Sequence, residues 1–143
     1  MPRYVFDSPA IAAILGTKRG EGVGLLRGRA TVGLAYYELC NVLWKEALLK
    51  RAEPRAALEA AKRLALIFGE MRVEHLTSPE DLRGLLDLAL ETGLTAYDAS
   101  YFYAAKKLGA VLVTEDGELR EAARDCGVKA LSVSQYLDEA RSS

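Results

Sequence analysis

The sequence predicts an α/β domain built as a three-layer sandwich, with a mostly parallel central sheet flanked by helices. Short apolar runs rich in strand-forming residues alternate along the chain with longer segments of helical periodicity. The cleanest of these runs, 110–113, is continuous and apolar, as expected of a parallel strand that is buried on both faces. Alternation of this kind is typical of parallel strands joined by helical crossovers.

The first predicted elements are a strand, a short helix and a basic, glycine-rich segment. A strand over 4–6 stops at 7–9, a turn and helix-start signal, and a helix follows over 10–15. Residues 16–29 hold five glycines and four basic residues against one acid, which predicts a loop. The basic residues are Lys18, Arg19, Arg27 and Arg29. This loop is either a solvated surface segment or a contact for a polyanion.

The middle of the chain predicts two helices between two strands. A strand near residue 30 leads into a helix over 39–49, where apolar side chains recur at helical spacing. A second helix over 56–68 is rich in Ala and Leu, which predicts a buried face, and 71–76 has the composition of an edge strand.

The helix starts are clearest in the second half of the chain. Ser78 has the position of a cap, with Pro79 at the first helical position and acids after it. Thr95 opens the next helix. The strand at 110–113 is followed by a helix that reaches residue 125, a strand within 128–133 and a short C-terminal helix.

Length and composition indicate one domain, 1–143, and exclude a disordered chain, because half of the residues are hydrophobic and 27% are charged. No apolar run approaches the roughly 20 residues of a membrane helix. Asp7 interrupts the first apolar stretch, so no secretory signal is predicted. Cys40 and Cys126 are far apart and lack CxxC spacing, which favours a reducing cytoplasm and two small buried hydrophobic side chains over a disulfide or a zinc site.

Four acids fall at the carboxyl edge of the predicted sheet, where parallel α/β proteins place their sites: Asp7, Glu38, Asp98 and Asp116. Each also has a structural explanation, because free N–H groups stabilise acids at helix N-termini, and Asp116 could simply cap its helix. Asp7 is the best single candidate, since it directly follows a strand, where a capping role is not expected. Ser8 and Thr114 are placed either to hydrogen-bond these carboxylates or to be ordinary turn hydroxyls.

Four carboxylates in one cleft carry a formal charge of −4, which is unfavourable without cations. Mg²⁺ or Mn²⁺, which prefer oxygen ligands, would offset this charge. His75 is the single histidine, so the chain lacks the further histidines that an imidazole-based zinc site needs, and a catalytic triad would depend on His75 itself. A carboxylate-only metal site suits phosphodiester hydrolysis. The formal net charge of −1 argues against nucleic-acid binding by bulk charge, but not against a nuclease that holds metal ions.

The segments around these acids resemble the successive motifs of PIN-domain nucleases, and their order and spacing are most similar to the VapC-type toxins of toxin–antitoxin pairs. The matching segments are 4–8, 37–43, 97–101 and 112–116. The resemblance implies a PIN-like fold and an endoribonuclease dependent on Mg²⁺ or Mn²⁺, with Asp7, Glu38, Asp98 and Asp116 as its acidic quartet and RNA as its substrate. It also implies a homodimer and a small inhibitory antitoxin. The glycine-rich segment 16–29 departs from the family pattern.

Two other functions remain open at this point. A non-catalytic PIN-fold module that binds RNA or protein would have no use for the full set of acids. A receiver-type phosphoryl-transfer domain would carry an acid pair after the first strand and a Lys at a late strand end. This chain has Ser8-Pro9 at the first place and Thr114-Glu115-Asp116 at the second.

Overall fold

The computed structural model describes residues 2–17 and 21–142, and within them five strands and eight helices. The strands are β1 (Tyr4–Phe6), β2 (Ala30–Val32), β3 (Arg72–Glu74), β4 (Val111–Val113) and β5 (Ala130–Leu131). The helices are α1 (Ser8–Leu15), α2 (Glu21–Leu26), α3 (Leu34–Leu48), α4 (Pro54–Glu70), α5 (Pro79–Thr92), α6 (Ala96–Leu108), α7 (Gly117–Asp125) and α8 (Val133–Ser142).

The strands form one parallel sheet in the order β3-β2-β1-β4-β5, so the predicted α/β sandwich is confirmed. β1 lies at the centre, with Val5 opposite Ala30 of β2 on one side and Leu112 of β4 on the other. β3 is an edge strand, as the composition of 71–76 indicates.

Side chains of β1 alternate between two covered faces, which defines the three layers. Tyr4 and Phe6 point to the same face, and each meets the ring of Tyr136 of α8 edge-on, with ring centroids 4.9 and 4.8 Å apart. Val5 points to the opposite face, and α6 packs along β1, β2 and β4. Tyr136 and the α6 residue Phe102 are both fully buried, so the core lies on both faces of the sheet.

The helix starts follow the predicted capping residues. Ser78 accepts a hydrogen bond from the backbone N–H of Asp81, and Thr95 accepts one from the backbone N–H of Asp98. Gly93 and Gly109 end α5 and α6 with φ of 77° and 64°, in the left-handed region that favours glycine.

The segment 16–29 differs from the predicted loop, because residues 21–26 form α2. Leu26 of this helix is fully buried. Gly22 faces α1 so closely that a Cβ there would lie 2.9 Å from the carbonyl oxygen of Ile14. Two of the glycines that suggest a loop therefore lie inside a helix, and one of them lets two helix backbones approach each other.

Two further expectations are tested by burial. Cys40 and Cys126 are exposed, so the prediction that they are buried is wrong. α4 buries only Phe68, while Leu58 and Leu66 on the same helix remain exposed. Among the described residues, no helix combines the length and the apolarity that crossing a membrane requires.

Candidate active site

The candidate site lies where the strand order changes direction. From β1 the chain continues to β2 on one side of the sheet and returns later to β4 on the other side, which leaves a crevice at the carboxyl ends of β1 and β4. Asp7 follows β1, and its backbone N–H donates to the carbonyl of Val113, 3.2 Å away. Thr114 follows β4. Parallel pairing therefore places these two side chains at the same point of the edge.

Asp7 is buried, and each of its two carboxylate oxygens accepts one hydrogen bond. Its Oδ1 accepts from the backbone N–H of Ala10 at 2.9 Å and caps α1, so the expectation that it has no capping role is wrong. Its Oδ2 accepts from the Thr114 hydroxyl. Burial raises the pKa of Asp7 to about 6, and the negative charges of Asp98 and Glu38 act in the same direction, against the two hydrogen bonds.

Glu38, in the second turn of α3, is held by two hydroxyl groups. Its Oε1 accepts from Ser8 Oγ at 2.9 Å and from the Tyr101 hydroxyl at 2.5 Å. Tyr101 lies on α6 and is buried. Burial, with the Glu38 hydrogen bond, raises the pKa of Tyr101 far above its ordinary value. The Tyr101 hydroxyl therefore keeps its proton and donates it in the hydrogen bond to Glu38. The sequence alone did not identify Tyr101 as part of the site, because its contact with Glu38 joins residues 63 positions apart.

Asp98 and Asp116 lie in the first turns of α6 and at the cap of α7. Burial raises the pKa of Asp98, followed by the charges of Asp116 and Glu38. Asp116 is exposed; its Oδ1 caps α7 by accepting from the backbone N–H groups of Glu118 and Leu119. Its own N–H donates to Thr114 Oγ1 at 3.0 Å. Asp116 therefore caps α7 and also lies at the carboxyl edge of the sheet.

The four acids form one electrostatic group. Asp7 is repelled by Asp98 and Glu38, and Asp98 is repelled by Asp116 and Glu38. Within residues 2–17 and 21–142, no three Asp, Glu, His or Cys side chains are arranged to hold a metal ion as they stand. The donor set still fits a hard divalent cation, because it consists of carboxylate oxygens whose mutual repulsion a cation would relieve. His75 lies outside this group and packs near Tyr36, with ring centroids 6.2 Å apart.

Two of the four basic residues of the segment 16–29, Arg27 and Arg29, lie away from the acids. Arg29 directly precedes β2, so it lies at the amino edge of the parallel sheet, opposite to the acids. There it donates to the Tyr136 hydroxyl at 3.0 Å, while Arg27 pairs with Glu70. Lys18 and Arg19 lie outside the described residues. Arg120 of α7 is at the edge with the acids and donates to the carbonyl of Thr114 at 2.7 Å.

Fold and site define a parallel α/β sandwich with an all-carboxylate cluster at the point where the strand order reverses. The profile of the PIN domain matches residues 4–125. Exonuclease VapC9 of Pyrobaculum aerophilum is 44% identical over 116 residues, which cover 81% of this chain and 82% of that protein. Ribonuclease VapC3 of the same organism is 36% identical over 127 residues, covering 83% and 93%.

A solved structure agrees with these relatives. The crystal structure of PAE2754 from Pyrobaculum aerophilum superposes with a TM-score of 0.81 at 32% identity, over 99% of this chain and 98% of that one. The chain therefore belongs to the PIN-domain family, and its similarity to VapC9 and VapC3 groups it with the VapC-type members.

Proposed function

We propose that this chain is an endoribonuclease that depends on Mg²⁺ or Mn²⁺ and hydrolyses RNA at Asp7, Glu38, Asp98 and Asp116. The observation that carries this proposal is the buried carboxyl of Asp7, whose pKa of about 6 reflects burial beside further acids at the edge of the sheet. A fold that only needed a helix cap at this position would not need a group of repelling carboxylates around it. The names of the relatives VapC9 and VapC3, an exonuclease and a ribonuclease, support nuclease chemistry.

The residues of the chain divide the work. Asp7 is oriented by the Ala10 N–H and by Thr114, and Glu38 is oriented by Ser8 and Tyr101. These bonds fix one oxygen of Glu38 and leave the other free to act as a ligand. Asp98 and Asp116 complete the acidic set from the starts of two helices. A bound divalent ion supplies a water of lowered pKa and neutralises charge on the phosphate oxygens.

The VapC-type grouping also underlies our proposal of a homodimer and of a small antitoxin that inhibits the enzyme in the cytoplasm. Self-association is supported by exposed leucines at every turn of one face of α5. They are Leu82, Leu86 and Leu90. A row of this kind is more typical of a contact surface than of scattered surface residues.

A circular single-stranded RNA tests the proposal and separates the two modes of cleavage in the relatives' names. An endonuclease opens the circle, whereas an exonuclease finds no end. We expect opening with Mg²⁺ or Mn²⁺, none with EDTA, and none for Asp7→Asn at any metal concentration. The near-isosteric amide preserves the capping oxygen and removes the charge. Far-UV circular dichroism checks that the variant is folded.

Three results would contradict the proposal. Full activity of Asp7→Asn would remove this residue from the site. Degradation of linear but not circular RNA would make the enzyme an exonuclease. Binding of RNA without any cleavage, with either metal, would instead support the non-catalytic binding module.

A further inference from the structure

A cavity lies beside the acids, and the proposed hydrolysis assigns no role to it. It has a volume of about 340 Å³ and opens at the carboxyl ends of β2 and β3, under the start of α6. A shallower depression of about 500 Å³ is lined by Ser8 and Glu38, among other residues. Leu34 and Tyr97 line both spaces, so they form a shared wall between the cavity and the candidate active site.

The lining of the cavity combines apolar walls with a few polar groups. Leu34, Leu76 and Leu85 supply the apolar surface. The polar groups are Glu74, His75, Thr77 and Ser100. Among the described residues the His75 ring makes no hydrogen bond, and its side chain is exposed. The Ser100 hydroxyl is already used, since it donates to the carbonyl of Tyr97 at 2.6 Å.

This lining fits a planar group with apolar faces and a polar edge. An unpaired nucleobase has that character, and proteins bind single-stranded RNA by placing bases against aromatic rings and bonding their edges. The volume of about 340 Å³ is sufficient for one base. Tyr97 stands at the boundary with 64% of its surface exposed, so its ring is available for contact. The adjacent Asp98 belongs to the acidic group.

We propose that this cavity binds the unpaired base of a nucleotide next to the scissile phosphate, with Tyr97 as its aromatic wall and His75 at its polar edge. The proposal rests on the proposed ribonuclease function and makes single-stranded RNA its substrate class. Because Leu34 and Tyr97 line both spaces, a base held in the cavity would lie next to the nucleotide at the acids.

Abasic scanning of a substrate tests this inference. A single-stranded RNA of 12 nucleotides, containing a cleavage site mapped in total RNA, is synthesised with the base removed at one position at a time. For the wild-type protein we expect kcat/KM to fall on the order of tenfold at one position beside the cleaved bond, and little elsewhere, because one base-to-ring contact is lost.

The same scan with variants assigns that loss to the cavity. Tyr97→Ala should lower kcat/KM for the intact RNA and abolish the penalty of the abasic position, while Tyr97→Phe, which keeps the ring, should retain it. His75→Ala, which changes the cavity but not the shared wall, should reduce the penalty. Trp44→Ala is the matched control, because Trp44 is also an exposed aromatic residue of a helix and lines neither space.

The outcomes separate this inference from the function on which it rests. If the wild-type protein cleaves no RNA, the proposed function fails. If it cleaves but no abasic position is penalised, or if Tyr97→Ala leaves the penalty intact, the nuclease stands and the base-binding cavity is overturned. If Tyr97→Ala and His75→Ala both keep the fall in kcat/KM at the abasic position, the cavity does not bind the base and would take another ligand, such as a side chain of a protein partner.

Discussion

Asp7 combines two roles whose energies oppose each other. Its Oδ1 caps α1, which stabilises the helix by about 1 kcal/mol. The same carboxyl is buried beside further acids, so its ionised form is unfavourable in the folded protein. Both effects come from one position, the residue that joins a central strand to a helix. The stability of the protein should therefore depend on the protonation of this single group.

The free energy of unfolding in metal-free buffer is predicted to carry a specific pH dependence from Asp7. Its pKa is about 6 in the fold and 3.8 as a free side chain, so the folded state holds the proton more tightly. The contribution is fully present below about pH 4 and is lost as pH rises towards 6, on the order of 3 kcal/mol in total. Urea unfolding of the wild type and of Asp7→Asn at pH 4 to 7 measures it as the difference between the two curves.

A divalent ion should reverse that loss at neutral pH. Mn²⁺ should raise the melting temperature of the wild type and leave that of Asp7→Asn unchanged, since binding to the folded state alone stabilises it. If the free energies of unfolding of the wild type and of Asp7→Asn instead change with pH in parallel, Asp7 is not the group responsible for the pH dependence.

Tyr101 is predicted to position Glu38 for catalysis. Tyr101→Phe removes one of the two hydroxyls that bond Glu38 Oε1 and leaves the ring packed in the core. We expect kcat to fall on the order of tenfold with KM nearly unchanged, because the misplaced carboxylate affects the transition state and not RNA binding. Steady-state kinetics with Tyr103→Phe as the control measures this, since Tyr103 is on the same helix and bonds Asp81 instead. Equal effects of the two substitutions would indicate a general loss of stability.

At the level of single residues, sequence reasoning located acids that follow strands, because parallel pairing brings strand ends together whatever the rest of the fold does. It did not find Tyr101, whose partner Glu38 is 63 positions away. It also missed the capping bond of Asp7 to the backbone N–H of Ala10, although 7–9 carries a helix-start signal. The contact between Tyr101 and Glu38 is different, because a bond between residues so far apart in sequence has no counterpart in local spacing.

Among the elements, α2 offers a matched pair of glycines. Gly22→Ala should destabilise the protein by about 1–3 kcal/mol, because the new Cβ would lie 2.9 Å from a backbone oxygen of α1 that cannot move freely. Gly24→Ala should stabilise it by about 0.5–1 kcal/mol, since nothing lies within 4 Å and alanine favours the helix. Chemical denaturation of both variants measures the two changes. Stabilisation by both would mean that α1 and α2 are not in close contact.

The same helix shows where element prediction from sequence fails. Caps such as Ser78 and Thr95 act through neighbouring residues, so their helices are predictable from short motifs. The glycines of 21–26 indicate a loop by composition, but burial of Leu26 and contact with α1 stabilise a helix there. Tertiary packing decides the structure of such a segment, and packing is not visible in its local sequence.

For the molecule as a whole, the position of each arginine at one or the other edge of the sheet predicts whether its side chain contacts RNA. Arg120→Gln should raise KM and flatten the salt dependence of RNA binding, because its guanidinium lies beside Thr114 at the acidic edge. Arg27→Gln with Arg29→Gln should change neither, since Arg29 precedes β2 at the opposite edge and Arg27 is paired with Glu70.

Lys18→Gln with Arg19→Gln tests the remaining part of the basic segment separately. A weaker salt dependence in the double variant of Arg27 and Arg29 would instead indicate that the whole segment contacts the polyanion RNA.

The oligomeric state is the second prediction at this scale. Light scattering at micromolar concentrations should give the mass of two chains, and replacing two of the exposed α5 leucines, Leu82→Glu and Leu86→Glu, should give that of one. Neither side chain is buried, so the monomer should remain folded. A dimer that persists in the double variant would move the contact to another face, and a single-chain mass for the wild type would contradict the homodimer.

The central position of β1 has a consequence for the synthesis of the protein. Its partner β4 is made more than 100 residues later, and the hydrogen bond between Asp7 and Thr114 spans 107 positions. A growing chain that has not reached Thr114 therefore cannot assemble the crevice, however well its first helices form. Premature termination or proteolysis before Thr114 should yield only inactive fragments, so a cell that makes this protein meets a complete site only after β4 and the residues that follow it have been made.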